Sequence, residues 1–289
     1  MVNEDQVKRR SVLKKVGVSG VLALGMSGSA SASEVTTDID SLLSTEKVRS
    51  IQDALPDLQL QDQRAKTVAA GPEEDPTFVT HTEIPANFGT LNVVEFADSE
   101  FEVVFDFKNY RPNFDVDWPR GTDAKLYGAE DGAVFVRGAT DAETERVAAA
   151  IGKDATEITV STTSEMDGFR VIEANASSET VEIFRVERGV TAASSTPGLE
   201  VVSHEVIDAN GGDGVRTASC DCGVVFANVV LCLNQLGVCS LCLGTSLGGP
   251  AATIACAIGT GCISIADIWT GCTALVSSRD CVVDCVTSA

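Results

Sequence analysis

All ten cysteines of this 289-residue chain lie between residue 219 and the carboxy terminus, and nothing else in the sequence constrains its folding as strongly. Cys220, Cys222, Cys232, Cys239, Cys242, Cys256, Cys262, Cys272, Cys281 and Cys285 make up about 14% of that stretch. Above roughly 8–10% cysteine, a short exported segment is by default a disulfide scaffold. An even number permits five bridges with no free thiol, although spacing alone does not reveal the pairing. Metal ligation is the rival reading. Cys220-Asp221-Cys222 and Cys239-Ser240-Leu241-Cys242 resemble ligand pairs, and thiolates suit zinc or iron–sulfur clusters. The segment has no histidine and lacks two pairs of matching spacing. Disulfides are therefore the expectation, with no metal and no cofactor.

The same segment carries no charged side chain from Cys222 to Ala266. Val224, Val225, Phe226, Val229, Val230, Leu231 and Leu233 are too many for one narrow face, and Gly248-Gly249-Pro250, Gly259 and Gly261 interrupt the later apolar runs. Asn228, Asn234 and Gln235 would be costly in a bilayer helix unless paired. Short apolar helices, turned at glycines and joined by cystines, fit better than membrane spans. Cys232, Cys239 and Cys242 at i, i+7 and i+10, and Cys281 and Cys285 at i and i+4, have helix-face spacings. Gly244-Thr245-Ser246-Leu247-Gly248 has the nucleophile-elbow pattern, but that chemistry needs a histidine after the serine and none follows His204.

Charge divides the chain in the same place. The formal net charge of −21 resides in residues 33–218, with 36 acidic and 15 basic side chains; residues 1–32 carry +3 and residues 219–289 carry −3. Such a balance excludes a nucleic-acid partner, whose phosphates require a basic face, and disfavours acidic membrane surfaces. Crowded carboxylates repel one another in dilute salt, whereas at molar salt the Debye length is about 3 Å and the repulsion largely disappears. The composition therefore points to a halophile.

Within the acidic part, Val48, Ile51 and Leu55 align on one face of a helix over Thr45 to Leu55 that Pro56 stops. Phe101, Val103, Phe105 and Phe107 recur at the strand period of two. Leu126 to Arg137 reads as a hairpin turning at Glu130-Asp131-Gly132. Thr140 and Glu143 have capping-box spacing ahead of Val147, Ala148 and Ile151. Further strand-like runs are Glu157 to Ser161, Phe169 to Glu173, Val181 to Val186 and Leu199 to Ile207. The expected fold is an α+β acidic domain over residues 33–206 with a mostly antiparallel sheet, followed by a small, mainly α-helical, disulfide-rich domain over residues 219–289.

Catalytic chemistry finds little support. His81 and His204 are the only imidazoles. Asp115 and Asp117 beside Trp118, and Asp38 with Asp40, read as solvated acidic faces rather than an acid–base pair or cation site. Asn175-Ala176-Ser177 is a sequon, a pattern frequent by chance. No residue is assigned a catalytic role, and the chain is not expected to be an enzyme.

Two short segments read as processing signals. Around Arg9 and Arg10, the run Lys8-Arg9-Arg10-Ser11-Val12-Leu13-Lys14 has the twin-arginine export pattern, followed by an apolar stretch and the exit Ala30-Ser31-Ala32, with cleavage expected after Ala32. Residues 207–218 form a glycine-rich connector, and the region of Gly214, Arg216 and Ser219 is the expected site of an internal cut.

The twin-arginine leader at Arg9 and Arg10, the acidic middle and the apolar end with ten cysteines together resemble a precursor of the halocin C-eight type, an archaeal peptide antibiotic family. The resemblance implies that one chain encodes both toxin and immunity protein. Residues 219–289 would be the released antimicrobial peptide and residues 33–206 the portion that binds and neutralises it. The partners implied are the chain's own two parts and the envelope of target cells, with the product secreted and the immunity-like part a candidate for membrane association. A peptide of −3 cannot be held by charge attraction to a domain of −20, so the neutralising contact is expected to be apolar. The rival reading is an exported surface or adhesion protein with a cystine-stabilised terminal module.

Overall fold

The computed structural model describes residues 33–70, 79–96, 101–111, 114–189, 198–209, 221–236, 242 and 249–259. Arg9, Arg10, Ala32, Gly214, Arg216, Ser219, Cys220, Cys239, Cys262, Cys272, Cys281 and Cys285 lie outside the described residues, as does Ser246.

Eleven strands form a single sheet whose spatial order is the chain order, with every pairing antiparallel. They are β1 (Ser33–Glu34), β2 (Lys66–Ala70), β3 (Val79–Pro85), β4 (Gly89–Phe96), β5 (Glu102–Phe107), β6 (Ala124–Ala129), β7 (Gly132–Gly138), β8 (Ile158–Thr163), β9 (Gly168–Asn175), β10 (Thr180–Gly189) and β11 (Gly198–Asp208). Helices α1 (Ile39–Leu43) and α2 (Glu46–Ala54) precede β2, α3 (Asp141–Ile151) joins β7 to β8, and α4 (Cys222–Leu236) and α5 (Gly249–Gly259) follow the sheet. The acidic part is thus α+β around an antiparallel sheet.

Local chemistry accounts for the element ends. α2 begins after Thr45, buries Val48 and Ile51, and gives way at Leu55 before Pro56. The capping box of α3 is complete: the Thr140 side chain accepts from the Glu143 amide, while Glu143 accepts from the Thr140 amide. Gly152 then ends the helix at φ 70°, a left-handed conformation that costs glycine little. The β6–β7 hairpin turns at Glu130 and Asp131, and Gly132 takes φ 143°.

The strands β2, β3 and β4 are absent from the expectations drawn from the sequence, and for β4 the reason is physical. Both faces of β4 are covered, so the alternation that marks a half-exposed strand is lost there: Leu91, Asn92, Val93 and Val94 are all buried. The first face carries α1, α2 and α3. Val48 and Ile51 pack with Leu91, Val103, Phe105 and Leu126, while Val147 and Ala148 pack with Val160, Val171, Phe184 and Val186. Gly128 of β6 lets α2 come close, because a Cβ there would overlap the Lys47 carbonyl. The second face, which includes Val94, Phe96, Val104 and Tyr127, packs against α4 and α5. The sequence suggests two folding units with separate cores. In the structure one sheet face is buried by the cysteine-bearing segment.

Candidate functional site

The second face is the site with the clearest construction. Strand register places Val94, Val104, Tyr127 and Val136 on it together with Ile172 and Val181, and these residues share one apolar cluster with α4 and α5. α5 lies over β3, β4 and β5, α4 lies over β9, β10 and β11, and the two helices touch each other. α4 buries Val225, Phe226, Val229, Val230 and Leu233, a set that wraps more than one side of the helix. In α5 every residue from Ala252 to Ile258 is buried. Full burial of one large aliphatic or aromatic side chain stabilises by about 1.5–3 kcal/mol, so several such residues make a strong seat without any ion pair.

Several polar groups of α4 at this contact have partners. Asp221 Oδ1 accepts from the amides of Gly223 (2.9 Å) and Val224 (3.3 Å), satisfying the start of α4. Asn228 Nδ2 donates to the Val224 carbonyl (3.0 Å) and to the Ala209 carbonyl (3.3 Å), and Asn234 Nδ2 donates to the Ala174 carbonyl (3.4 Å). Two asparagines that would be costly in a bilayer are therefore bonded to the ends of β9 and β11. Cys242 and Cys256 form a disulfide with Cα atoms 5.4 Å apart, joining α5 to the segment that precedes it. Cys222 and Cys232 of α4 are also disulfide-bonded. Among the described residues no three His, Cys, Asp or Glu side chains are grouped to hold a metal ion, and no helix is long and apolar enough to cross a membrane.

The first face holds the buried Arg137 cluster, whose chemistry is structural. Arg137, 2% exposed, donates through Nη1 to Glu143 Oε2 at 2.8 Å and through Nη2 to Asp117 Oδ2 at 2.8 Å, while its Nε donates to the Asp117 carbonyl at 2.7 Å. Desolvation opposes ionisation of Glu143, but the bonds from Arg137 and Thr140 outweigh it and bring the carboxyl down to about 2. Asp117 is thus a counter-ion and Asp38 is the cap of α1, accepting from the Ser41 amide at 3.2 Å; only Asp115 and Asp40 remain as plain acids of the two pairs. Sequence reasoning missed Arg137, whose one clue was a cation at a first-face position of a strand.

The two histidines lie on β3 and β11, eight strands apart, and form no pair. His81 Nε2 lies 3.1 Å from Asn92 Oδ1, and burial lowers its pKa against the opposing effects of Asn92 and Glu83. His204 stacks on Phe184 with ring centres 4.2 Å apart and bonds Glu182 at 3.0 Å. Asn175 folds back on its own turn, accepting from the amides of Ser177 and Ser178. A cavity of about 410 Å³ opens on the first face among Leu55, Phe88, Phe114 and Phe135, with Arg111 stacked over Phe88 at 3.6 Å. Its one hydroxyl, on Ser164, accepts from the Phe135 amide rather than meeting a base.

No family model matches this chain, and no solved structure matches it. It is similar to Halocin-S8 of Haloarchaeon S8a, with 25% identity over 276 residues that cover 89% of this chain and 87% of the relative. The likeness is to a halocin over most of both chains, and it does not distinguish the C-eight type.

Proposed function

We propose that the chain is an exported halocin-type antimicrobial precursor of the C-eight organisation, in which the acidic sheet holds the cysteine-rich segment inactive. Residues 219–289 are the toxin, residues 33–206 the neutralising partner, and residues 207–218 the place where the two are cut apart. The observation that carries this reading is the burial of α4 and α5 on the second face by apolar side chains. An apolar contact suits a segment without charge and a partner of strongly negative charge, and it persists in the salt that screens ion pairs. The twin-arginine pattern at Arg9 and Arg10 assigns the product to the outside of the cell, and the envelope of related cells is the target. No residue is assigned a catalytic role.

The test is a growth-inhibition assay on the full chain before and after proteolysis in the 207–218 connector. The separated peptide should inhibit a sensitive haloarchaeal strain, the uncut chain should not, and adding back the acidic part should restore growth. A separated peptide with no effect on any strain would remove the toxin role. Inhibition undiminished by the acidic part would remove the neutralising role. An uncut chain retained on its producer cells would favour the adhesion reading.

A further inference from the structure

A row of side chains crosses the second face at the far end of the sheet. Register places Ser161 of β8 directly opposite Arg170 of β9, Arg170 opposite Arg185 of β10, and Arg185 opposite Ser203 of β11. Two guanidinium groups facing each other across neighbouring strands repel unless negative charge intervenes. Arg185 has its own counter-ion, Glu187, at 2.7 Å. Arg170 has none in ion-pair range among the described residues and feels only the longer-range attraction of Glu205.

The two groups at the inner end of the row are also short of hydrogen-bond partners. Ser161 is 1% exposed, and among the described residues its Oγ is unpartnered, as is the buried Nε of Arg170. A carboxylate would be the obvious solution in so acidic a chain, yet none of the described residues places one there. The helices over this face supply no charge, since Cys222 to Ala266 contains no ionisable acid or base other than cysteine. Ile172, two residues along β9 from Arg170 on the same face, belongs to the apolar cluster with α4. Burial lowers the Arg170 pKa, as expected for a cation that has lost water without gaining a bonded partner.

We propose that Ser161 Oγ and Arg170 Nε form a binding site for a small monovalent inorganic anion, with chloride as the probe, on the sheet face that seats the carboxy-terminal helices. Both groups donate: the hydroxyl can rotate its proton toward the ion and the Nε proton is fixed in the guanidinium plane. A single uncompensated positive charge favours a monovalent ion, because a divalent oxyanion would leave a net negative charge beside apolar walls. The site is independent of the antimicrobial reading.

Two measurements on the full chain test it. In the first, total potassium is held constant while gluconate is replaced by chloride and the thermal unfolding midpoint is followed. The wild type should show a saturable rise, which Arg170→Met abolishes and Ser161→Ala weakens. In the second, crystals of the unaltered chain are soaked in bromide, and an anomalous peak is expected between Ser161 Oγ and Arg170 Nε. The diffraction result stands even where Arg170→Met does not fold. Absence of the peak, or a carboxylate of the chain in that position, overturns the proposal. So does a chloride response equal in wild type and Arg170→Met, which would mark any peak as an adventitious ion only.

Discussion

Glu143 Oε2 accepts at 2.8 Å both from Arg137 Nη1 and from the Thr140 amide, so one carboxylate closes the capping box of α3 and neutralises the buried arginine of β7. Local helix chemistry and tertiary charge pairing meet on a single atom. Glu143→Gln keeps the shape but leaves Arg137 with Asp117 as its remaining anion, and removing one partner of a buried pair typically costs about 3–5 kcal/mol. Asp117 is largely exposed and still in place, so a loss of about 2–3 kcal/mol is expected. Denaturant unfolding at pH 7 in constant salt measures it. A change below about 0.5 kcal/mol would show that the pair contributes nothing.

The same carboxyl sets an acid limit. Its folded pKa of about 2 lies below the ordinary value of 4.5, so its contribution is fully present above pH 4.5 and is lost as pH falls toward 2. Wild-type stability should fall through that window, and Glu143→Gln should flatten the fall. Parallel pH curves for the two proteins would contradict the assignment.

His81 acts in a higher window. Its pKa is lowered from 6.5 by burial, so the folded state binds its proton less readily than the unfolded state does. Stability from this group is intact above pH 6.5 and declines as pH drops below it. His81→Gln, which can still hydrogen-bond toward Asn92, should remove the slope just below pH 6.5 while leaving the lower Glu143 window unchanged. Unfolding midpoints taken from about pH 2.5 to about pH 7.5 are the readout.

The hold of the sheet on α4 and α5 should respond to apolar volume and not to ionic screening. Val181 is fully buried in the shared cluster, and Val181→Asp places a charge among side chains that offer it no partner. After proteolysis in the connector, size-exclusion chromatography of wild type should keep the two parts together from about 0.5 to about 3 M potassium chloride. Val181→Asp should separate them, and separation of the wild type as salt rises would contradict an apolar contact.

Close approach of α2 to β6 depends on Gly128. Gly128→Ala would push a methyl group into the Lys47 carbonyl and should destabilise by about 1–3 kcal/mol. Gly138→Ala meets open space and serves as the matched control, expected within about 0.5 kcal/mol of wild type. Equal effects at both glycines would point to strand propensity instead of helix contact.

Elements with a local cause were legible in the sequence. The capping box at Thr140 and Glu143, the helix that stops before Pro56 and the hairpin at Asp131-Gly132 each rest on residues within a few positions of one another, and each forms where those residues stand. The strand β4 was not legible, because burial on both faces removed the alternation that announces a strand. For the candidate site, the apolar character of residues 222–266 was evident, whereas the surface receiving α4 and α5 was not.

Sequence by itself determined the division of charge and cysteine, the uncharged nature of the carboxy-terminal helices and the local start and stop of several elements, since these depend on residue identity and short-range geometry. Only the tertiary structure decided that one sheet supplies both cores, that Arg137 finds Glu143 and Asp117, and that Arg170 faces Ser161 without a bonded counter-ion among the described residues. Those outcomes depend on register between strands: a slip of one residue would turn every side chain of a strand to the opposite face.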